Sequence, residues 1–153
     1  MPPLEANPEA PAIAGTEAYV NAPVETVWAV LSDFERWPDW NEAVAGMRLG
    51  GPVEAGTTFV WRAGGTKIAS RLEEVVPPAR LAWTGKTMGI RAVHVWRLTP
   101  QGEGTHVRTE ESFDGLIVRL LPGLMRKMLI RALEQGVQAL KAAAEARHER
   151  TRA

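Results

Sequence analysis

The sequence predicts an α+β fold: a curved antiparallel sheet wrapped around one long C-terminal helix, with two short helices after the first strand. Three observations carry this. From Asn41 to Phe113 apolar residues alternate with a period of two, interrupted only by short turn signals. After Gly115 the period changes to that of a helix and holds to about residue 147. Ahead of the alternating region stands a compact helical signal, 23-PVETVWAVL-31.

The elements follow in order. Residues 1–13, rich in Pro and Ala, have almost no periodicity and read as a disordered tail, leaving 14–150 as a single domain. A first strand fits Thr16 to Asn21. In the helix after it, Pro23 suits the first helical position, and Val24, Val27, Trp28 and Leu31 form one apolar stripe. A second short helix is expected in 33-DFERWPDW-40, capped by Asp33 and ended near Trp37 by Pro38. Six strands then read as 44–49, 57–63, 66–76, 80–86, 90–99 and 105–113. Gly50-Gly51-Pro52, Gly64-Gly65, Pro77-Pro78, Met88-Gly89 and the stretch 100–104 separate them, short enough to make a meander. The last helix, about 122–147, would be about 39 Å long at 1.5 Å per residue. Leu121, Met125, Met128, Ala132, Gly136, Ala139 and Ala143 trace its expected buried stripe, widened by Leu124, Leu129, Leu133, Val137 and Leu140.

Composition narrows the function classes. Lys plus Arg equals Asp plus Glu, 18 against 18, so no global basic field favours nucleic acid. There is no cysteine, which removes disulfides, thiolate metal sites and cysteine nucleophiles, and with three histidines no metal site is expected. No apolar run reaches the ~20 residues of a membrane span, so no stable membrane insertion is expected. No secretory signal is seen, so a cytoplasmic location is the expectation. Six tryptophans against one tyrosine and three phenylalanines raise the question of what each indole packs on.

Hairpin register gathers one set of residues. Pairing across the last turn sets Leu98 opposite Val107, Trp96 opposite Thr109, His94 opposite Glu111 and Ala92 opposite Phe113, given a four-residue loop at Gln101–Gly104. The preceding hairpin, turning at Thr87–Ile90, sets Trp83 beside His94 and Leu81 beside Trp96. Arg91, Arg97, Arg108, Glu110 and Ser112 collect on the other face, which that charge assigns to solvent. His94 and Glu111 thus form a largely buried pair walled by Trp83 and Trp96. Such a pair can work as a general acid/base, orient a ligand carbonyl or hydroxyl, or only satisfy itself. In 57-TTFVWRA-63, Phe59 and Trp61 share a face and extend the aromatic wall if it points inward. Trp28 reads as core, and Trp37 and Trp40 as anchors of the short helix. His106 falls on the outer face and His148 in the tail. The cluster Arg119, Arg126, Lys127 and Arg131 reads as the solvated side of the last helix.

The segments 22-APVETVWAVLSDFERWPDWN-41, 82-AWTG-85, 92-AVHVW-96 and 105-THVRTEESFDG-115 resemble the SRPBCC superfamily, and within it the bacterial polyketide cyclase/dehydrase and lipid-transport-like proteins. The resemblance covers residues 14–147. It implies the START-like, helix-grip fold, and members range from ligand carriers to cyclases, so the activity must be argued from the site.

The expected function is binding of a small hydrophobic or aromatic ligand, lipid or polyketide-like, in a cavity between sheet and last helix. The expected lining is Phe59, Trp61, Trp83, His94, Trp96, Thr109, Glu111, Phe113, Met125 and Met128, with no cofactor and a monomer or weak homodimer. The alternative is a cyclase or dehydratase in which His94 and Glu111 are the acid-base pair.

Overall fold

The computed structural model describes residues 2–153. Its elements are β1 (Ala12–Val20), α1 (Val24–Ser32), a 3-10 turn (Phe34–Arg36), α2 (Trp37–Trp40), β2 (Val44–Leu49), β3 (Thr58–Ala63), β4 (Thr66–Val76), β5 (Arg80–Thr87), β6 (Ile90–Gln101), β7 (Gly104–Asp114), α3 (Leu116–Leu120) and α4 (Pro122–Arg152). One antiparallel sheet runs in the order β1-β7-β6-β5-β4-β3-β2. The fold is therefore the expected one, a curved sheet gripping a long C-terminal helix. Register shifts at Ala45/Arg48 in β2 and Leu72/Glu74 in β4 mark bulges, which bend a sheet and increase its twist.

The register expected for the two central hairpins is the one observed. His94 pairs with Glu111 and Trp96 with Thr109, while Trp83 pairs with His94 and Leu81 with Trp96. The last loop is tighter than the expected four residues: Gln101 and Gly104 already pair. Gly102, at φ 61°, supplies the positive φ that a two-residue turn needs at its first position. The tight turn leaves no slack for a one-residue slip, which would send every side chain to the other face.

Four details differ from the sequence reading. β1 begins at Ala12, so residues 12 and 13 belong to the strand: Ala12 pairs with Phe113 and Ile13 with Ser112. Their strand character comes from that partner, since the local sequence has no alternation to show it. The 33–40 segment does not stop at Trp37. It restarts as the helical turn α2 with Pro38 in its first turn, where a missing N–H is harmless. α3 is an added helix, too short to show a period. Finally, α4 continues to Arg152, and its buried stripe is Met125, Leu129, Leu133, Val137, Leu140 and Ala144, with Met128 outside it.

α4 lies along β1. Lys141 Nζ donates to the Tyr19 carbonyl at 2.7 Å, and Asn21 N–H donates to the Glu145 carboxylate at 2.8 Å. The main core joins α1, α2, the concave face of the sheet and the C-terminal half of α4. On the convex face Arg97 bonds Glu110 at 2.8 Å, and Arg108 bonds Glu17 at 3.2 Å. Glu5 also pairs with Arg97 and Arg80, and Asn7 N–H donates to Ser112 Oγ at 3.0 Å, which draws the N-terminal segment across that face. Among the described residues no helix is long and apolar enough to cross a membrane.

Candidate functional site

The concave face is lined by alternate residues of the strands, and its aromatic members touch in series. Phe59 lies against Trp83 (ring centroids 5.9 Å apart), Trp83 against His94 (4.7 Å), and His94 stacks on Trp96 (5.4 Å). The sequence reading missed one contributor. Phe34 enters from the 3-10 turn and meets Trp37 at 4.8 Å, Phe59 at 5.0 Å and Trp83 at 5.8 Å. Its spacing of three from Trp37 is a signal that the two share a helical face. Trp37 is an anchor, its indole N–H donating to the Leu31 carbonyl at 2.8 Å.

Phe59 and Trp83 are therefore spent on protein rings rather than bordering open space, and both are buried. Trp61 is half-buried at the edge of the cluster, its Nε1 donating to Ser70 Oγ at 3.1 Å. Phe113 and Met125 belong to a second, smaller cluster with Ala12, Val118 and Ile90. Met128 joins neither cluster and is 54% exposed, which removes it from the expected lining. Its position on α4, two turns from Gln135, which donates to Asn41 Oδ1 at 2.8 Å beside α2, puts it on the flank facing α2.

Between the two apolar clusters lies a polar group: His94, Thr109 and Glu111. Leu129 and Leu133, the α4 residues between Met125 and Val137, are both buried at this level of the helix. His94 Nε2 lies 2.8 Å from Thr109 Oγ1, and Thr109 Oγ1 donates to the Val95 carbonyl at 3.0 Å. A hydroxyl has one proton, so Thr109 accepts from His94, and this network assigns the proton to Nε2. The bare Nδ1 then faces Glu111 Oε2 at 3.5 Å, at the outer limit for a hydrogen bond.

Burial decides the charges. It pushes the His94 imidazole down to about 3, so the ring stays neutral. It pushes the Glu111 carboxyl up to about 8, so the acid keeps its proton at neutral pH. The pair is thus neutral, and Glu111 is the group with a proton to give. The Glu111 side chain retains 14% exposure. Trp96 holds the other unspent donor: its buried Nε1 has no hydrogen-bond partner among the described residues. Trp96 sits opposite Thr109, which makes Glu111 its diagonal neighbour, roughly 7 Å away Cα to Cα in such a pairing. No group of three metal-ligating side chains occurs among the described residues.

The sequence matches, over residues 13–145, the family model described as polyketide cyclase / dehydrase and lipid transport. A comparison with curated proteins finds no match. Solved structures share the fold. A hypothetical protein, jhp0584, from Helicobacter pylori superposes with a TM-score of 0.81 at 17% identity, over 94% of this chain and 99% of that one. A START superfamily protein from Mycobacterium smegmatis gives 0.70 at 16%, over 91% and 98%. The di-domain ARO/CYC StfQ of the steffimycin biosynthetic pathway gives 0.74 at 17%; it covers 92% of this chain, which spans about half of StfQ.

Proposed function

Because the chain belongs to the polyketide cyclase / dehydrase and lipid transport family, we propose that it binds a small, mainly apolar molecule against the concave face and orients it by one oxygen. The observation that carries this is the pair of unspent donors. Trp96 Nε1–H is buried without a partner, and a buried donor left unmade costs about 1–3 kcal/mol. One diagonal step away, Glu111 is a neutral acid whose sole polar neighbour on the His94 side is 3.5 Å off. A ligand carbonyl, hydroxyl or ether oxygen can accept from either donor, and a cation gains nothing from the indole N–H. His94 and Thr109 hold Glu111's surroundings in one tautomer rather than contacting the ligand themselves.

One observation favours a second reading, cyclase or dehydratase chemistry. A carboxyl pushed up to about 8 is poised to give and take a proton near neutral pH. In that reading the proton is carried by Glu111, since His94 stays neutral and its Nε2 is occupied by Thr109.

Native mass spectrometry of the purified chain, with release and identification of any bound molecule, tests the choice. The binding reading expects a small apolar molecule bearing an oxygen acceptor, recovered unchanged after incubation. Recovery of a cyclised or dehydrated product, lost in Glu111→Gln, would transfer the assignment to the enzyme.

A further inference from the structure

One end of the molecule carries apolar side chains that nothing covers. Met88 is 82% exposed, Leu116 74% and Leu120 69%, and Leu121, Leu124 and Met128 are also exposed. They come from the β5–β6 turn, α3 and the first turns of α4, and these are neighbours. Gly115, at the start of α3, lies so close to the turn that a Cβ there would run into the Gly89 carbonyl oxygen. Met88 is itself anomalous. It holds φ 48° at a two-residue hairpin turn, a conformation suited to Asn, Asp or Gly, and this fully presented methionine recovers no burial for the strain.

The charge around these side chains has one sign. From Gly115 to Leu133 the chain has Arg119, Arg126, Lys127 and Arg131 and no acid, in a protein that is neutral overall. Lys86 and Arg91 flank the turn. Asp114, just before this stretch, pairs with Arg91 at 3.6 Å and Arg119 at 3.2 Å. Arg126, Lys127 and Arg131 make no ion pair among the described residues. Protruding apolar tips among unpaired cations suit a surface that is anionic and fluid. A second copy docked through the same face would set these cations against themselves. A fluid surface also needs no matching pockets for tips on three separate elements.

We propose that this end of the molecule docks on an anionic lipid bilayer surface, with Met88, Leu120 and Leu124 dipping into the headgroup boundary. The docked end includes Met128, on the α4 flank that faces α2. Docking does not require the ligand-binding reading, since it uses side chains outside the His94–Thr109–Glu111 group.

Flotation of the full chain with vesicles tests it. Binding to phosphatidylcholine vesicles containing phosphatidylglycerol, little to phosphatidylcholine alone, and release by added salt are expected. Arg126→Gln with Lys127→Gln should lower partitioning on the order of tenfold. Met88→Asn with Leu124→Asn should lower it too, with no loss of thermal stability, because both side chains are already exposed and Asn suits the backbone at position 88. Wild-type protein that stays unbound to phosphatidylglycerol vesicles overturns the proposal. So does binding that both double variants retain, or a dimer in analytical ultracentrifugation that Met88→Asn and Leu124→Asn abolish. A chain that releases a ligand in mass spectrometry yet fails to float overturns docking alone.

Discussion

Glu111 keeps its proton in the folded chain up to about pH 8, whereas an ordinary glutamate ionises near 4.5. Between those values the unfolded state releases a proton that the native state holds, so stability falls as pH rises. His94 works in the opposite sense: between about 3 and 6.5 the unfolded chain takes up a proton that the native ring refuses, so stability rises with pH. The two effects together predict a rise from about 3 to 4.5, a plateau to 6.5 and a decline to about 8. Glu111→Gln should abolish the decline, gaining on the wild type by a few kcal/mol, to order of magnitude, between pH 4.5 and 8 in urea melts. Parallel curves for the two proteins would contradict a buried neutral acid. Thr109→Val leaves the His94 Nε2–H without its partner, and should cost about 1–3 kcal/mol, with Thr109→Ser restoring most of it. The opposition of His94 and Glu111 was legible because turn positions fix it. Phe34 and the orphan Trp96 N–H were not, since no register ties a helical turn, or an indole rotamer, to the sheet.

At the scale of elements, the meander and its register follow from tight turns, and the long helix from its period. The phase of that helix was harder to read. Leu124, Met125, Met128 and Leu129 are all apolar, so the sequence offers two adjacent stripes, and only the packing of α4 on β1 selects the one through Met125 and Leu129. Truncations separate them. Leu129→Ala should cost about 2–5 kcal/mol in chemical denaturation. Met128→Ala should stay within about 0.5 kcal/mol, as expected for an exposed site. Equal losses would mean that α4 is rotated from the position described. α3 escaped because five residues cannot display a period, and the helical turn at Pro38 because a proline that ends one helix can open the next.

At the scale of the whole molecule, pattern and family agree on the helix-grip architecture, but the open volume inside it depends on which rings fill it. Six tryptophans suggested walls around a cavity; in the structure Trp37 and Trp83 fill space together with Phe34 and Phe59. The polar group stands between that filled core, to which Trp96 also belongs, and the small cluster at Phe113 and Met125. The central claim is that Trp96 presents its N–H to a ligand oxygen. It is tested most directly by titrating the molecule recovered from the wild type into Trp96→Phe, which removes the N–H and keeps an aromatic ring. The account predicts affinity weaker by about 1–3 kcal/mol; affinity equal to the wild type would contradict it.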